Sequence, residues 1–281
     1  MSVLYSGKIR DGKPGTLTKE LYEVIYDHDK KYAFLSPFPV IEYSSDWYRK
    51  TVDKSELPDD FFLEHDYQQV GYFPHISSHL QRGMTVIDCG CGAGSMLDLI
   101  SGIAGSTIAV EPFVGYHSSL EQRGHEVFDS LESANQCHQG NADLALSIHV
   151  IEHTYNPLDY LKDIFKLLKP GGKLVLFTPN LDDILLKLSP EAYAPFFFRK
   201  VHNFYFSGDG LELLGIQAGF SKAQKFYYQE FNLGNAFNWL KSGVATSNGD
   251  FSCIAPEMDR NWMTFLESSG QAYNVGVVLQ K

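Results

Sequence analysis

The segment Val86-Ile87-Asp88-Cys89-Gly90-Cys91-Gly92-Ala93-Gly94-Ser95 constrains this chain more than any other. A short apolar run reads as a buried strand. Three alternate glycines then turn the chain into a helix that starts at Ser95. Glycine lets a backbone pass close to a ligand, so a strand, glycine turn and helix predict a binding edge as well as a fold. The pattern is G-x-G-x-G rather than the G-x-G-x-x-G of dinucleotide sites. Asp88 at the strand end suits an amino group and repels a phosphate. Glu111 closes the next apolar run, 23 residues after Asp88. An acid at that place is positioned for ribose hydroxyls. The same residues would also serve as a tight connection around two buried cysteines.

Strands and helices alternate from 84 to 180. Apolar runs predict strands over 84–89, 107–110, 124–128, 143–148 and 173–178, with helices over 95–105, 116–123 and 157–168. The last of these helices meets Lys169-Pro170-Gly171-Gly172, a strong stop signal. Such alternation predicts an α/β fold, a Rossmann-like, doubly wound, mostly parallel sheet with helices on both faces. Beyond 180 the sequence predicts a helical insertion or lid over about 181–205, a helix over 207–218, and strands over 220–228 and 273–280. Residues 230–270 are mixed. The first 65 residues read as an aromatic-rich appendage or lid, and 66–281 as the main domain, entered by a helix over 66–81. Tyr43, Tyr48, Tyr72 and the tract Phe196-Phe197-Phe198 suit either a lid or an aromatic core.

The 281 residues carry 34 acidic against 23 Lys and Arg side chains, a net charge of -11. No dense basic patch offsets it, so no nucleic-acid partner is expected. Cys89, Cys91, Cys137 and Cys253 form no secreted-type framework, which predicts a reducing, cytoplasmic compartment. No apolar run reaches the ~18 residues of a membrane span, and the start lacks an apolar signal core. The sequence leaves the oligomeric state open.

Further motifs follow in order: His149-Val150-Ile151-Glu152-His153, then Asn156-Pro157-Leu158, the Leu168–Gly172 turn, and Thr178-Pro179-Asn180. His202-Asn203-Phe204-Tyr205-Phe206-Ser207 and Ala218-Gly219-Phe220 come later. With these the sequence resembles class I S-adenosylmethionine-dependent methyltransferases. It is most similar to the branch with an HVLEH-type motif, the methyltransferase domain 23-like group that includes sugar- and polysaccharide-associated enzymes. The resemblance implies a seven-stranded sheet and S-adenosyl-L-methionine as cofactor. Asp88 would then face the cofactor's amino group, with Gly90, Cys91, Gly92 and Gly94 along its path. Glu111 would take the ribose with Pro112 beside it. Asp129 would approach the adenine amino group, or act as a plain cap, and Leu131 would touch the ring.

His149, at the carboxyl edge of the fourth strand where ligands bind, is a site-lining candidate on the cofactor side and, for a hydroxyl acceptor, a candidate base; fixing the loop by hydrogen bonding is its alternative use. His202 is the second catalytic candidate, with packing as its alternative use. In sugar C-methyltransferases that resemble this branch, a glutamate precedes this histidine. Here Val201 stands there, which weighs against C-methylation and leaves O- or N-methylation open; the resemblance makes O-methylation of a small-molecule acceptor, a sugar or sugar-linked intermediate, the first expectation. Glu152 and His153 suit a capping role. The order H-V-I-E-H is not H-E-x-x-H, and the zinc-binding cysteines of some relatives are missing before Cys89, so no metal is expected. A competing expectation is a catalytically inactive, cofactor-binding partner subunit. A nicotinamide dehydrogenase is disfavoured by Asp88 and the placing of Gly94.

Overall fold

A computed structural model describes residues 1–12, 14–53, 55–244 and 254–281, so Cys253 lies outside the described residues. The N-terminal strands β1 (Ser2–Gly7), β2 (Tyr22–Asp27) and β3 (Tyr32–Ser36) pair antiparallel. Next, α1 (Asp46–Tyr48) runs into a π-helical turn over Arg49–Asp53, and α2 (Pro58–Ser77) leads to the larger sheet. That sheet uses β4 (Thr85–Cys89), β5 (Ser106–Val110), β6 (Glu126–Phe128), β7 (Ala142–Ile148) and β8 (Leu168–Pro179). Helices α3 (Ser95–Ser101), α4 (His117–Gln122), α5 (Leu131–His138) and α6 (Pro157–Leu167) fall between them. Then come α7 (Ile184–Leu188), α8 (Pro190–Phe197), β9 (Phe204–Phe206), α9 (Gly208–Ala218), β10 (Lys222–Tyr228), α10 (Leu233–Ser242), α11 (Pro256–Ser269) and β11 (Asn274–Gln280).

The larger sheet has seven strands in the order β10-β11-β8-β7-β4-β5-β6. Only β11 runs against the rest. Consecutive residues such as Leu174, Val175, Leu176 and Phe177 are all fully buried. Helices therefore cover both faces, and the strands read as continuous apolar runs rather than alternating ones. The expected Rossmann-like architecture is the observed one.

Local chemistry sets the ends of the elements. Asn156 caps α6 by accepting from the Leu158 and Asp159 amides at 3.2 and 3.3 Å, and Pro157 needs no partner at the first position. Leu161, Ile164 and Leu167 then face the core at helical spacing.

The Lys169–Gly172 turn does not end a loop before a new strand, as the sequence reading has it. It lies inside β8. Pairing jumps from Ala142 with Leu168 to Leu144 with Lys173, so the turn is extruded as a bulge.

The first 65 residues are not self-contained. β9 completes their antiparallel sheet, whose order is β1-β2-β3-β9, and residue 65 falls within α2. Ile9, Val24 and Leu35 pack with Tyr193, Phe197, Phe198 and Trp239. The Phe196–Phe198 tract is thus the core of this second unit, not a lid. Burying its aromatic rings against the sheet removes apolar area that would otherwise stay wet.

Candidate active site

The carboxyl ends of β4, β5 and β7 converge at the glycine turn. Gly90 N donates to Val110 O at 2.7 Å and Cys91 N to the same oxygen at 3.2 Å, which ties the turn to the end of β5. Glu111, only 2% exposed, sits just beyond. Its Oε2 accepts from Gly92 N at 2.9 Å, and its Oε1 from Phe113 N at 2.9 Å. The structure adds a partner that sequence spacing did not reveal. Arg49, from the π-helical turn 62 residues upstream, donates to Glu111 Oε1 at 2.6 Å. Tyr116 holds the same segment by donating to the Ser55 carbonyl oxygen.

Asp88, next to last in β4, is 2% exposed, and its Oδ1 has no hydrogen-bond partner. Burial, and then the charge of Glu111, push its carboxyl up to about 7. A buried carboxylate oxygen without a partner calls for a cationic donor. The ammonium of S-adenosylmethionine is such a donor, so Asp88 fits the expected cofactor. The turn fits it as well. Gly92 has φ +57, and a Cβ there would collide with the Phe61 ring. Backbone at this point must therefore stay bare.

Gly92→Ala is expected to cost about 2–4 kcal/mol in a denaturant melt, from left-handed strain plus the collision with Phe61. In a Phe61→Ala background only the strain, about 1–2 kcal/mol, should remain. Equal costs in both backgrounds would remove Phe61 from the account.

His149 follows β7 with φ +55, a left-handed conformation rare outside glycine and often found at functional positions. Its Nε2 lies 2.8 Å from the Tyr72 hydroxyl, and its Nδ1 lies 3.3 Å from Glu152 Oε1. A ring protonated at Nδ1 satisfies both contacts, donating to Glu152 and accepting from Tyr72. Burial opposes ionisation of Glu152, yet the hydrogen bond and charge of His149, with His153, hold its carboxyl below the usual range. Burial keeps the Tyr72 phenol protonated.

The second histidine lies nearby. The rings of His153 and His202 meet edge to face with centroids 4.9 Å apart. His153 Nδ1 donates to Val201 O at 2.7 Å, and Tyr43 donates to the same oxygen at 2.8 Å. Val201, which stands where a glutamate was expected in C-methylating relatives, thus contributes through its backbone. Asn203 binds this region together. Its side-chain amide donates to His153 O and Thr154 O, both at 3.1 Å, and its backbone N to Glu152 O at 2.7 Å. Burial lowers both imidazoles, His202 well below its ordinary value, so both are neutral. Glu152, His153 and His202 present ligand-type atoms within 4.8 Å of one another.

The remaining sequence candidates are less central. Asp129 is exposed and accepts from the Ser130 and Ser133 hydroxyls at 2.9 and 2.7 Å at the start of α5. Ser130 is the cap of α5, and Asp129 braces the two serines of that cap. Leu131 packs against the main core, Pro112 is exposed beside Glu111, and Cys91 is buried in the turn.

A family model described as a methyltransferase domain matches residues 64–225, more than half of the chain. The ubiquinone biosynthesis O-methyltransferase of Dinoroseobacter shibae is 25% identical over 186 residues, covering 61% of this chain and 71% of that protein. The Roseobacter denitrificans counterpart is 28% identical over 111 residues, 35% and 42% respectively. A tRNA U34 carboxymethyltransferase of Hydrogenovibrio crunogenus is 31% identical over 134 residues, 43% and 40%. The chain spans less than half the length of the first curated relatives it matches.

Among solved structures, a SAM-dependent methyltransferase from Thermotoga maritima superposes with a TM-score of 0.55 at 18% identity, over 83% of this chain and 97% of that one. Another from Archaeoglobus fulgidus gives 0.54 at 16%, over 77% and 94%. These two show the fold. The matched domain, the orphan carboxylate of Asp88 and the bare glycine turn agree, and the chain belongs to the methyltransferase-domain family whose cofactor is S-adenosyl-L-methionine.

Proposed function

We propose that this chain transfers a methyl group to a hydroxyl of a small-molecule acceptor, a sugar or sugar-linked biosynthetic intermediate. The observation that carries the reading is the Tyr72–His149–Glu152 chain of contacts at the same sheet edge as Asp88. S-adenosylmethionine supplies a methyl group on a positively charged sulfur. Asp88 would hold the ammonium, and Glu111 with the glycine turn would hold the ribose side. His149 Nε2 takes the acceptor's hydroxyl proton as the oxygen attacks, turning from the Tyr72 hydroxyl to do so. Glu152 stabilises the imidazolium and fixes which nitrogen is free. Positioning and dry surroundings supply most of the rate, because charge disappears as the methyl group moves.

The O-methyltransferase names among the relatives support oxygen as the acceptor atom. A tRNA-modifying relative offers nucleic acid as the competing acceptor, against which the excess of acidic residues weighs. Incubation with methyl-labelled S-adenosylmethionine and a panel of sugar nucleotides, simple glycosides and catechols tests this. The expected product is a methyl ether formed in step with S-adenosylhomocysteine. Label on nitrogen or carbon contradicts O-methylation, and label on added tRNA contradicts the small-molecule class.

A further inference from the structure

We propose that Arg10 and Arg199 form an anion site beside His202, which seats a carboxylate or phosphate group carried by the methyl acceptor. Its link to the acceptor rests on the methyl-transfer reading above. The two arginines are brought together by backbone pairing. Arg10 bridges Arg199, Arg10 N donates to Phe198 O at 2.9 Å, and Lys200 N donates to Arg10 O at 3.0 Å. Arg10 is 9% exposed, and its guanidinium lies 4.4 Å from the Phe196 ring centroid. Among the described residues, neither guanidinium makes an ion pair or a hydrogen bond. The Nε atoms of both are buried without a partner.

A chain with 34 acidic residues against 23 basic ones has counterions to spare. None of the acids that share neighbours with the pair reaches either guanidinium, and that includes the partly buried Glu230. Asp11 faces Lys200 at 4.0 Å, Asp183 accepts from Tyr193 and from the Leu185 amide at 2.8 Å each, and Glu152 pairs with His149. Burial and the like charge of Arg199 push Arg10 down to about 9. The orphan Nε donors are costly to bury, while the terminal nitrogens, which make no hydrogen bond and are not among the buried orphan atoms, remain open to a ligand. A guanidinium's fork of donors matches a carboxylate or a phosphate in two-point contact.

The surroundings give the site a direction. The hydroxyls of Tyr193, Tyr205 and Tyr273 lie within the field of Arg10. His202 lies within the field of Arg199, Arg10, His153 and His149 together. Backbone pairing sets His202 against Arg199, its N donating to Arg199 O at 2.9 Å, and its ring meets that of His153, so the arginine pair adjoins the histidine cluster. His202 then helps to seat the acceptor rather than to move its proton.

Calorimetric titration of the full chain, saturated with S-adenosylhomocysteine, with inorganic phosphate and separately with benzoate tests the site. One or both probes should bind at one per chain, and Arg10→Gln and Arg199→Gln should each weaken that binding at least tenfold. S-adenosylhomocysteine affinity should stay within twofold in both variants. A phosphate-only response assigns a phosphorylated acceptor, and a benzoate-only response a carboxylate one. No binding of either probe, or binding undiminished in both variants, overturns the proposal.

Arg10→Met gives a second readout, since it keeps most of the volume and removes the charge. Its melting temperature should rise, and the probe that stabilises the parent should no longer do so. A fall in melting temperature would mean that the protein itself satisfies the guanidinium, and would equally overturn the site. Failure of S-adenosylhomocysteine to bind the unmodified chain would sink the methyl-transfer reading, while the phosphate and benzoate titrations repeated without it would still decide the anion site.

Discussion

Asp88→Asn is expected to weaken S-adenosylhomocysteine binding more than tenfold, about 1.4 kcal/mol or more, while raising stability at pH 8. The two effects have opposite signs and one cause. The carboxylate is buried, lacks a partner on Oδ1, and faces Glu111. Ionising it in the folded chain is therefore unfavourable until an ammonium arrives. Its carboxyl is raised to about 7, against about 4 in an unfolded chain. Between those values the folded state holds a proton that the unfolded state has lost. The stability this proton contributes is fully present below pH ~4 and is lost as pH rises through about 7. Asparagine cannot ionise, so the gain of the variant over the parent should grow across that window and level off above it. Ligand affinity should show the reverse dependence. In the parent it should rise from pH 5.5 to 7.5 as the carboxylate forms, and in the variant it should stay flat. Calorimetry and thermal melts over this range check both. A variant that binds normally would remove Asp88 from the cofactor site.

His149→Ala carries the second large effect. Turnover should fall about 10²–10⁴-fold, the range of a positioned base, while S-adenosylhomocysteine affinity changes less than threefold. The base acts on the acceptor, not on the cofactor, which is why the two measurements should separate. Glu152→Gln should lower turnover less, because the amide still meets Nδ1 but no longer stabilises an imidazolium. Steady-state rates with an acceptor from the panel, set beside binding isotherms, give the split. Equal losses in both would place His149 in the cofactor shell.

Much of the fold was legible because the parallel core is built from local signals. β4, the glycine turn and α3 follow from one decapeptide, and α6 from Asn156-Pro157 and its apolar spacing. Helix α5 has no apolar period because it is short and polar, and its signal in the sequence is the reciprocal cap of Ser130 and Ser133. α10 and α11 sit in the stretch read only as mixed. Asn232 as a cap, Pro256 at the first position and Gly270 past the end were available signals.

The N-terminal sheet was not legible, since its fourth strand is Phe204–Phe206, far along the chain. Local periodicity cannot report a pairing of that separation. The site divides in the same way. Asp88, Glu111 and His149 lie at or just past the carboxyl ends of strands, and strand ends are visible in sequence. The Arg49–Glu111 pair, the Tyr72 contact to His149 and the Arg10–Arg199 bridge join residues through tertiary structure alone.

The most direct test of the account is calorimetric titration of the purified chain with S-adenosylhomocysteine, with NAD as the control ligand. One site per chain is expected, with ~micromolar affinity for the first ligand and no measurable heat from the second. Binding of NAD in preference, or no binding of S-adenosylhomocysteine, would contradict it.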